Sequence, residues 1–149
     1  MSSGAYVVLG AVVFALVAGA TLALRNGRFR GTHAVRGATA SADRPPTSVL
    51  ADSPWEEQLG ERATLLQFSS AFCAPCRATR RVLTDIAGQV PGVSHVEVDA
   101  EHHLDVVRRL GILRTPTTLV LDADGHEVAR ASGAPTRTQV YDALATVIG

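Results

Sequence analysis

The sequence predicts an α/β domain, a mixed central sheet with helices on both faces, preceded by a single N-terminal transmembrane helix. Three observations predict it. Residues 5–24 form an uncharged apolar run long enough, at 1.5 Å per helical residue, to cross the roughly 30 Å of a bilayer core. After Pro46, short apolar runs alternate with amphipathic stretches, as strands and helices do around one sheet. Asp124-Gly125 then marks a hairpin, so the sheet mixes strand directions.

Length and composition set the outer bounds. The chain's 149 residues suffice for one ordinary domain and an appendage. It carries 14 basic and 14 acidic side chains, every basic one an arginine, for a net charge of zero. No whole-chain field favours nucleic acid, and no nucleic-acid partner is expected. Two cysteines are too few for a disulfide-stapled scaffold.

The hydrophobic excess is local. Of the 20 residues from Ala5 to Leu24, 17 are hydrophobic, and the segment reads as an uncleaved membrane anchor. Ala18-Gly19-Ala20 would pass as a signal-peptide cleavage site, but no Lys or Arg precedes the run. Arg25, Arg28, Arg30 and Arg36 follow it directly, which by the positive-inside rule puts the C-terminal domain in the cytoplasm. Small residues recur at Ala11, Ala15, Gly19 and Ala23, a spacing that permits close helix approach and that an Ala-rich composition also gives by chance.

Residues 25–46 hold five arginines, three glycines and a closing Pro45-Pro46. That composition cannot bury a core, and it predicts a flexible tether spanning about 25 Å as a random coil. Residues 47–149 are the domain.

Within the domain, Ser53-Pro54-Trp55-Glu56 has the signals of a helix start, predicting a helix to about Gly60 with Trp55 packed against the sheet. Ala63 to Ser69 reads as a buried strand. A helix follows from near Cys73 to about Gln89, with Val82, Leu83, Ile86 and Val90 on its apolar face. Val93 to Val98 is the next strand, Glu101 to Leu110 a helix, and Thr117 to Leu121 a strand. The hairpin leads into Glu127 to Ala131, and Thr136 to Ile148 closes as an amphipathic helix.

The chemistry lies at Phe72-Cys73-Ala74-Pro75-Cys76, where the first long strand meets its helix. The spacing brings two sulfurs within disulfide reach across one turn and puts Cys73 at the positive helix end, where unpaired N–H groups favour a thiolate. Cys73 is then the attacking sulfur and Cys76 the one that resolves the mixed disulfide. Pro75 stiffens the first turn.

Around that motif the chain resembles the thioredoxin family. The features, in order, are the strand-Cys-x-Pro-Cys-helix unit, Val96-Glu97-Val98-Asp99, Gly111-Ile112-Leu113-Arg114-Thr115-Pro116-Thr117, and Gly133. The resemblance covers about 100 residues, one whole domain of that fold. It implies a cis Pro116 facing the disulfide and a Thr115 backbone that pairs with an extended substrate segment. It also implies Phe72, Thr115 and Pro116 as substrate contacts, Ala74 and Pro75 as potential-tuning residues, and no metal or organic cofactor. Protein disulfides would be the substrates and another dithiol system the electron donor.

Two departures bear on mechanism. Family members usually carry a buried Asp six residues before the first Cys; here that position is Gln67, which cannot ionise. Proton removal from Cys76 would then fall to water or to Glu97 or His95. The aromatic commonly four before the first Cys is Ser69, while Phe72 keeps an aromatic beside Cys73. Ala74-Pro75 lacks the His of the more oxidising members, which by resemblance favours a reductant.

Other readings stay open on the sequence. The cysteines could form a structural bridge, or bind zinc with His102 and His103, although adjacent histidines rarely reach one metal. His95, His102 and His103 also read as surface or strand-edge residues. Arg77, Arg80 and Arg81 either raise the local potential or form a solvated face. The expected function is a membrane-anchored thiol-disulfide oxidoreductase that reduces protein disulfides. The rivals are an extracytoplasmic reductase of the cytochrome-maturation type and a non-catalytic scaffold at the membrane.

Overall fold

Seven consecutive buried residues, Ala63–Ser69, form the strand about which the domain is organised. The computed structural model describes residues 3–25, 27–31 and 47–149. Its elements are α1 (Ser3–Arg25), β1 (Phe29–Gly31), β2 (Ala63–Ser69), α2 (Ala74–Gln89), β3 (Val93–Asp99), α3 (Leu104–Arg109), β4 (Thr117–Asp122), β5 (Glu127–Ser132) and α4 (Arg137–Ile148). The sheet order is β1-β5-β4-β2-β3. Strand β2 runs parallel to β3, and the β2–β4, β4–β5 and β1–β5 pairs are antiparallel.

Side chains alternate across the sheet, so β2 feeds two cores. Ala63 and Leu65 face α2 and α4, meeting Leu83, Ile86, Val140 and Leu144. Leu66 and Phe68 point the other way, onto Leu50, Val106 and Ile112. The expected mixed sheet with helices on both faces is therefore what the chain forms.

The apolar run forms α1. Its stretch Tyr6–Ala23 has mean hydropathy 2.3 and is not buried anywhere in the structure, which makes it a candidate membrane span by length and composition. Val7 and Phe14 are 71% and 75% exposed, so the domain does not cover them.

The expectation of a flexible tether throughout residues 25–46 is corrected at β1. Phe29 stands opposite Ala131 and Gly31 opposite Ala129, adding a short strand to the edge of β5. Phe29 is the one aromatic residue of that segment. It packs on the α2/α4 core, so a hydrophobic anchor and a free strand edge outweigh the polar composition around it. Gly27 makes the approach possible. It sits at φ +75°, donates to the Ser132 carbonyl at 2.9 Å, and a Cβ there would run into the Ala134 carbonyl. The rest of the expected tether, Asn26 and residues 32–46, lies outside the described residues.

Two helices are shorter than their sequence signals suggest. Residues 53–60 form turns and one 3₁₀ turn, Glu56–Gln58. Glu56 does reach back to the Asp52 N–H at 3.1 Å, but the segment has too few residues before Gly60 to propagate a helix. Trp55 packs at the edge of the α3-side core, in edge contact with His103. Helix α3 begins only at Leu104, because Asp99 accepts from the Glu101 N–H at 2.8 Å and from His102, holding residues 99–102 in a turn.

Candidate active site

The C-terminal end of β2, the start of β4 and the end of β5 lie at one end of the sheet. The register fixes this, with Phe68 opposite Thr117 and Thr117 opposite Ser132. The cysteine pair, in the loop after β2 and the first turn of α2, and the Thr115-Pro116 loop before β4 lie at that end.

Cys73 caps α2 in an extended conformation. Its sulfur accepts from the Cys76 N–H at 3.1 Å, and its carbonyl accepts from the N–H groups of Cys76 and Arg77. The Cys73 sulfur thus sits at the positive end of α2, where one N–H of the first turn points at it. The two cysteines form a disulfide with Cα atoms 5.2 Å apart. They are unequal in access: Cys76 is 1% exposed, whereas Cys73 is only partly covered. Ala74 and Pro75 are exposed in the first turn.

Two loops flank the pair. Phe72 is fully exposed and Leu113 is 95% exposed, giving this end two solvent-facing apolar side chains. The Thr115-Pro116 bond is cis, as expected. Gly133 N–H donates to the Pro116 carbonyl at 2.8 Å, and the Thr117 hydroxyl donates to the Arg114 carbonyl at 2.7 Å. The Thr115 hydroxyl also meets that of Ser70 at 3.0 Å, joining the cis-proline loop to the loop before Cys73. Ser70 carried no sequence signal, because a lone serine in a loop looks the same whether or not it bridges to a partner 45 residues away.

Beneath the pair, Gln67 is fully buried. Its amide nitrogen donates to the Ser69 hydroxyl at 2.7 Å and to the Cys76 carbonyl at 3.0 Å. A carbonyl can only accept, so both amide hydrogens are committed on that side and the amide oxygen faces His95 Nε2 at 3.2 Å. His95 must then carry a hydrogen on Nε2, which leaves Nδ1, 3.0 Å from the Thr84 hydroxyl, as its titrating nitrogen. Burial lowers the His95 pKa below its ordinary value, with Arg80 adding to the effect and Glu97 opposing it.

Glu97, the other expected proton partner of Cys76, pairs with Arg80 at 2.6 Å. It lines a cavity of about 370 Å³ with Cys76, Ser69, Arg80 and Asp99. That volume is ample for water beside the inner cysteine. The zinc alternative loses its histidines to other partners. His102 binds Asp99 at 2.8 Å and His103 stands against Trp55. Asp122, Asp124 and His126 cluster at the β4–β5 turn, where the Asp122 carboxylate accepts from the backbone N–H groups of Asp124 and His126, which accounts for its position.

Comparison with known proteins agrees with this fold. A family model described as Thioredoxin matches residues 46–146. Putative thioredoxin H10 of Arabidopsis thaliana is 30% identical over 87 residues, covering 55% of this chain and 56% of that protein. Thioredoxin H2-2 of Oryza sativa subsp. japonica is 29% identical over 98 residues, covering 62% of this chain and 72% of that protein. The chain thus spans little more than half the length of the first relative. Among solved structures, the thioredoxin NaTrxh of Nicotiana alata aligns with a TM-score of 0.57 at 20% identity, over 71% of this chain and 98% of that one. The Fasciola hepatica thioredoxin aligns with a TM-score of 0.54 at 24% identity, over 61% and 86%. At such identities the structural likeness speaks for the fold.

Proposed function

The chain belongs to the thioredoxin family, and from that premise we propose that it is a membrane-anchored reductase of protein disulfides whose domain lies on the cytoplasmic side. Family membership and the Cys73–Cys76 pair support thiol-disulfide oxidoreductase activity. The observation that carries the reading is the asymmetry of the pair, an accessible sulfur at the N-terminus of α2 and a buried one a turn inside.

The Cys73 thiolate attacks one sulfur of a partner disulfide. A Cys73–partner bond forms, and the other partner sulfur leaves as a thiolate. Cys76 then loses its proton and attacks the Cys73 sulfur, closing the Cys73–Cys76 disulfide and releasing the second partner thiol. The partner gains two electrons, and an external dithiol, itself oxidised to a disulfide, supplies two more to reduce the Cys73–Cys76 bond again. Gln67 cannot accept the Cys76 proton. Water in the adjoining cavity, with Glu97 and Asp99 on its wall, offers the route out. Phe72, Thr115 and Pro116 form the platform on which an extended partner segment is held, and Ala74 and Pro75 tune the potential.

Anchoring is supported by the exposed apolar stretch Tyr6–Ala23, and the cytoplasmic side by the arginines that follow it. The test is Cys76→Ser in membranes. It should accumulate mixed disulfides through Cys73 that vanish when Cys73 is also replaced. A clean absence of adducts would point to a scaffold, and a C-terminal reporter active only outside would overturn the cytoplasmic placement.

A further inference from the structure

The connection between α1 and the sheet is short, and it enters at one particular end. Helix α1 ends at Arg25, and Gly27 is already bound to the Ser132 carbonyl at 2.9 Å. Two residues of chain reach at most about 7 Å, and the four from Ala23, the end of the apolar stretch, at most about 14 Å.

The register fixes which end of the sheet this is. Phe29, the first residue of β1, stands opposite Ala131 near the end of β5. Ser132 stands opposite Thr117, and Thr117 opposite Phe68. The next residue after Ser132, Gly133, bonds to the carbonyl of the cis Pro116. The anchor therefore joins the domain at the end that carries Cys73, Phe72, Leu113 and Pro116. Had β1 run the other way, the length of the seven-residue β2, about 23 Å, would separate the redox pair from the bilayer.

We infer that the redox pair works at the membrane surface, on disulfides of other membrane proteins that lie close to where their chains leave the bilayer. This rests on the anchored reading above. The pairing of β1 with β5 is what enforces it, since a free tether over residues 25–46 would let the domain turn its active end anywhere. Phe72 and Leu113, both exposed at this end, suit the apolar residues that flank a membrane-spanning segment.

The experiment uses the full chain, reduced beforehand, in phosphatidylcholine vesicles with a membrane-spanning peptide as probe. The peptide carries a disulfide-linked reporter either four residues beyond its span or beyond a 30-residue helical spacer, about 45 Å away. Single-turnover release should be at least about tenfold faster from the near position, because only there is the effective concentration high. A 20-residue Gly/Ser insertion after Asn26, with a reach of about 25 Å, should bring the two rates together while leaving reduction of a soluble disulfide peptide unchanged. Equal near and far rates in the unaltered chain overturn the inference, as does a preference that survives the insertion. If the inserted chain loses activity on the soluble peptide, the ratio in the unaltered chain decides alone. Flotation with the vesicles separates the two levels: a chain that fails to float overturns the anchored reading and this inference with it. A chain that floats and shows equal rates overturns this inference only.

Discussion

The side-chain amide of Gln67 donates a 3.0 Å hydrogen bond to the backbone carbonyl of Cys76. The buried polar group under the redox pair thus holds the inner cysteine's backbone through a group that does not titrate. The same amide closes a chain of hydrogen bonds to His95 and Thr84.

Replacing Gln67 by Leu should therefore destabilise the oxidised domain. The change leaves the Cys76 carbonyl and the Ser69 hydroxyl without their partner in a buried setting, which costs about 1–3 kcal/mol. Equilibrium denaturation with urea measures it, and a variant as stable as the original would show that this network bears no weight.

His95 gives a pH signature with a definite sign. Its folded pKa lies below the ordinary 6.5 because burial disfavours the imidazolium. The unfolded chain then binds more protons between the lowered pKa and 6.5, so stability falls as the pH drops through that window. His95→Gln should flatten the slope there. His102, whose pKa is raised by its bond to Asp99, contributes on the other side of 6.5. Its stabilisation is complete below 6.5 and lost as the pH rises through the raised value, so His102→Gln should flatten the slope above 6.5. Thermal unfolding at closely spaced pH values reads both.

Pro75→His should make the pair more oxidising. Pro75 is exposed in the first turn of α2, so the imidazole is accommodated and, when charged, favours the neighbouring thiolate and hence the reduced form. The shift should be tens of millivolts, about 30 mV for each tenfold change in the equilibrium constant. Titration against glutathione measures it, and an unchanged or lower potential would refute this account of the motif.

Gly27→Ala should loosen β1. The positive φ costs an alanine about 1 kcal/mol, and its Cβ would meet the Ala134 carbonyl. Faster deuterium uptake at Glu127–Ser132 is the expected outcome, while protection of β2 stays unchanged. Unaltered uptake in β5 would mean that the strand does not depend on this approach.

The sequence alone determined what local chemistry determines. Alternation of apolar runs placed β2 through β5, apolar residues at helical spacing placed α2 and α4, Asp124-Gly125 placed the hairpin, and the spacing of Cys73 and Cys76 around Pro75 marked the redox pair. The cis Thr115-Pro116 bond followed from resemblance and is present. Local signals overreached where a competing turn won, at Glu56–Gln58 and before Leu104.

Tertiary structure alone decided what depends on partners distant in the chain. The Ser70 to Thr115 bond joins residues 45 apart, and the Gln67 orientation is set by Cys76 and His95 together. Strand β1 is the clearest case. Phe29–Gly31 has too little sequence to declare itself, and it becomes a strand only because β5 offers an unpaired edge and the α2/α4 core offers Phe29 a place to bury. Neither condition is written within three residues, and both arise once the sheet has formed.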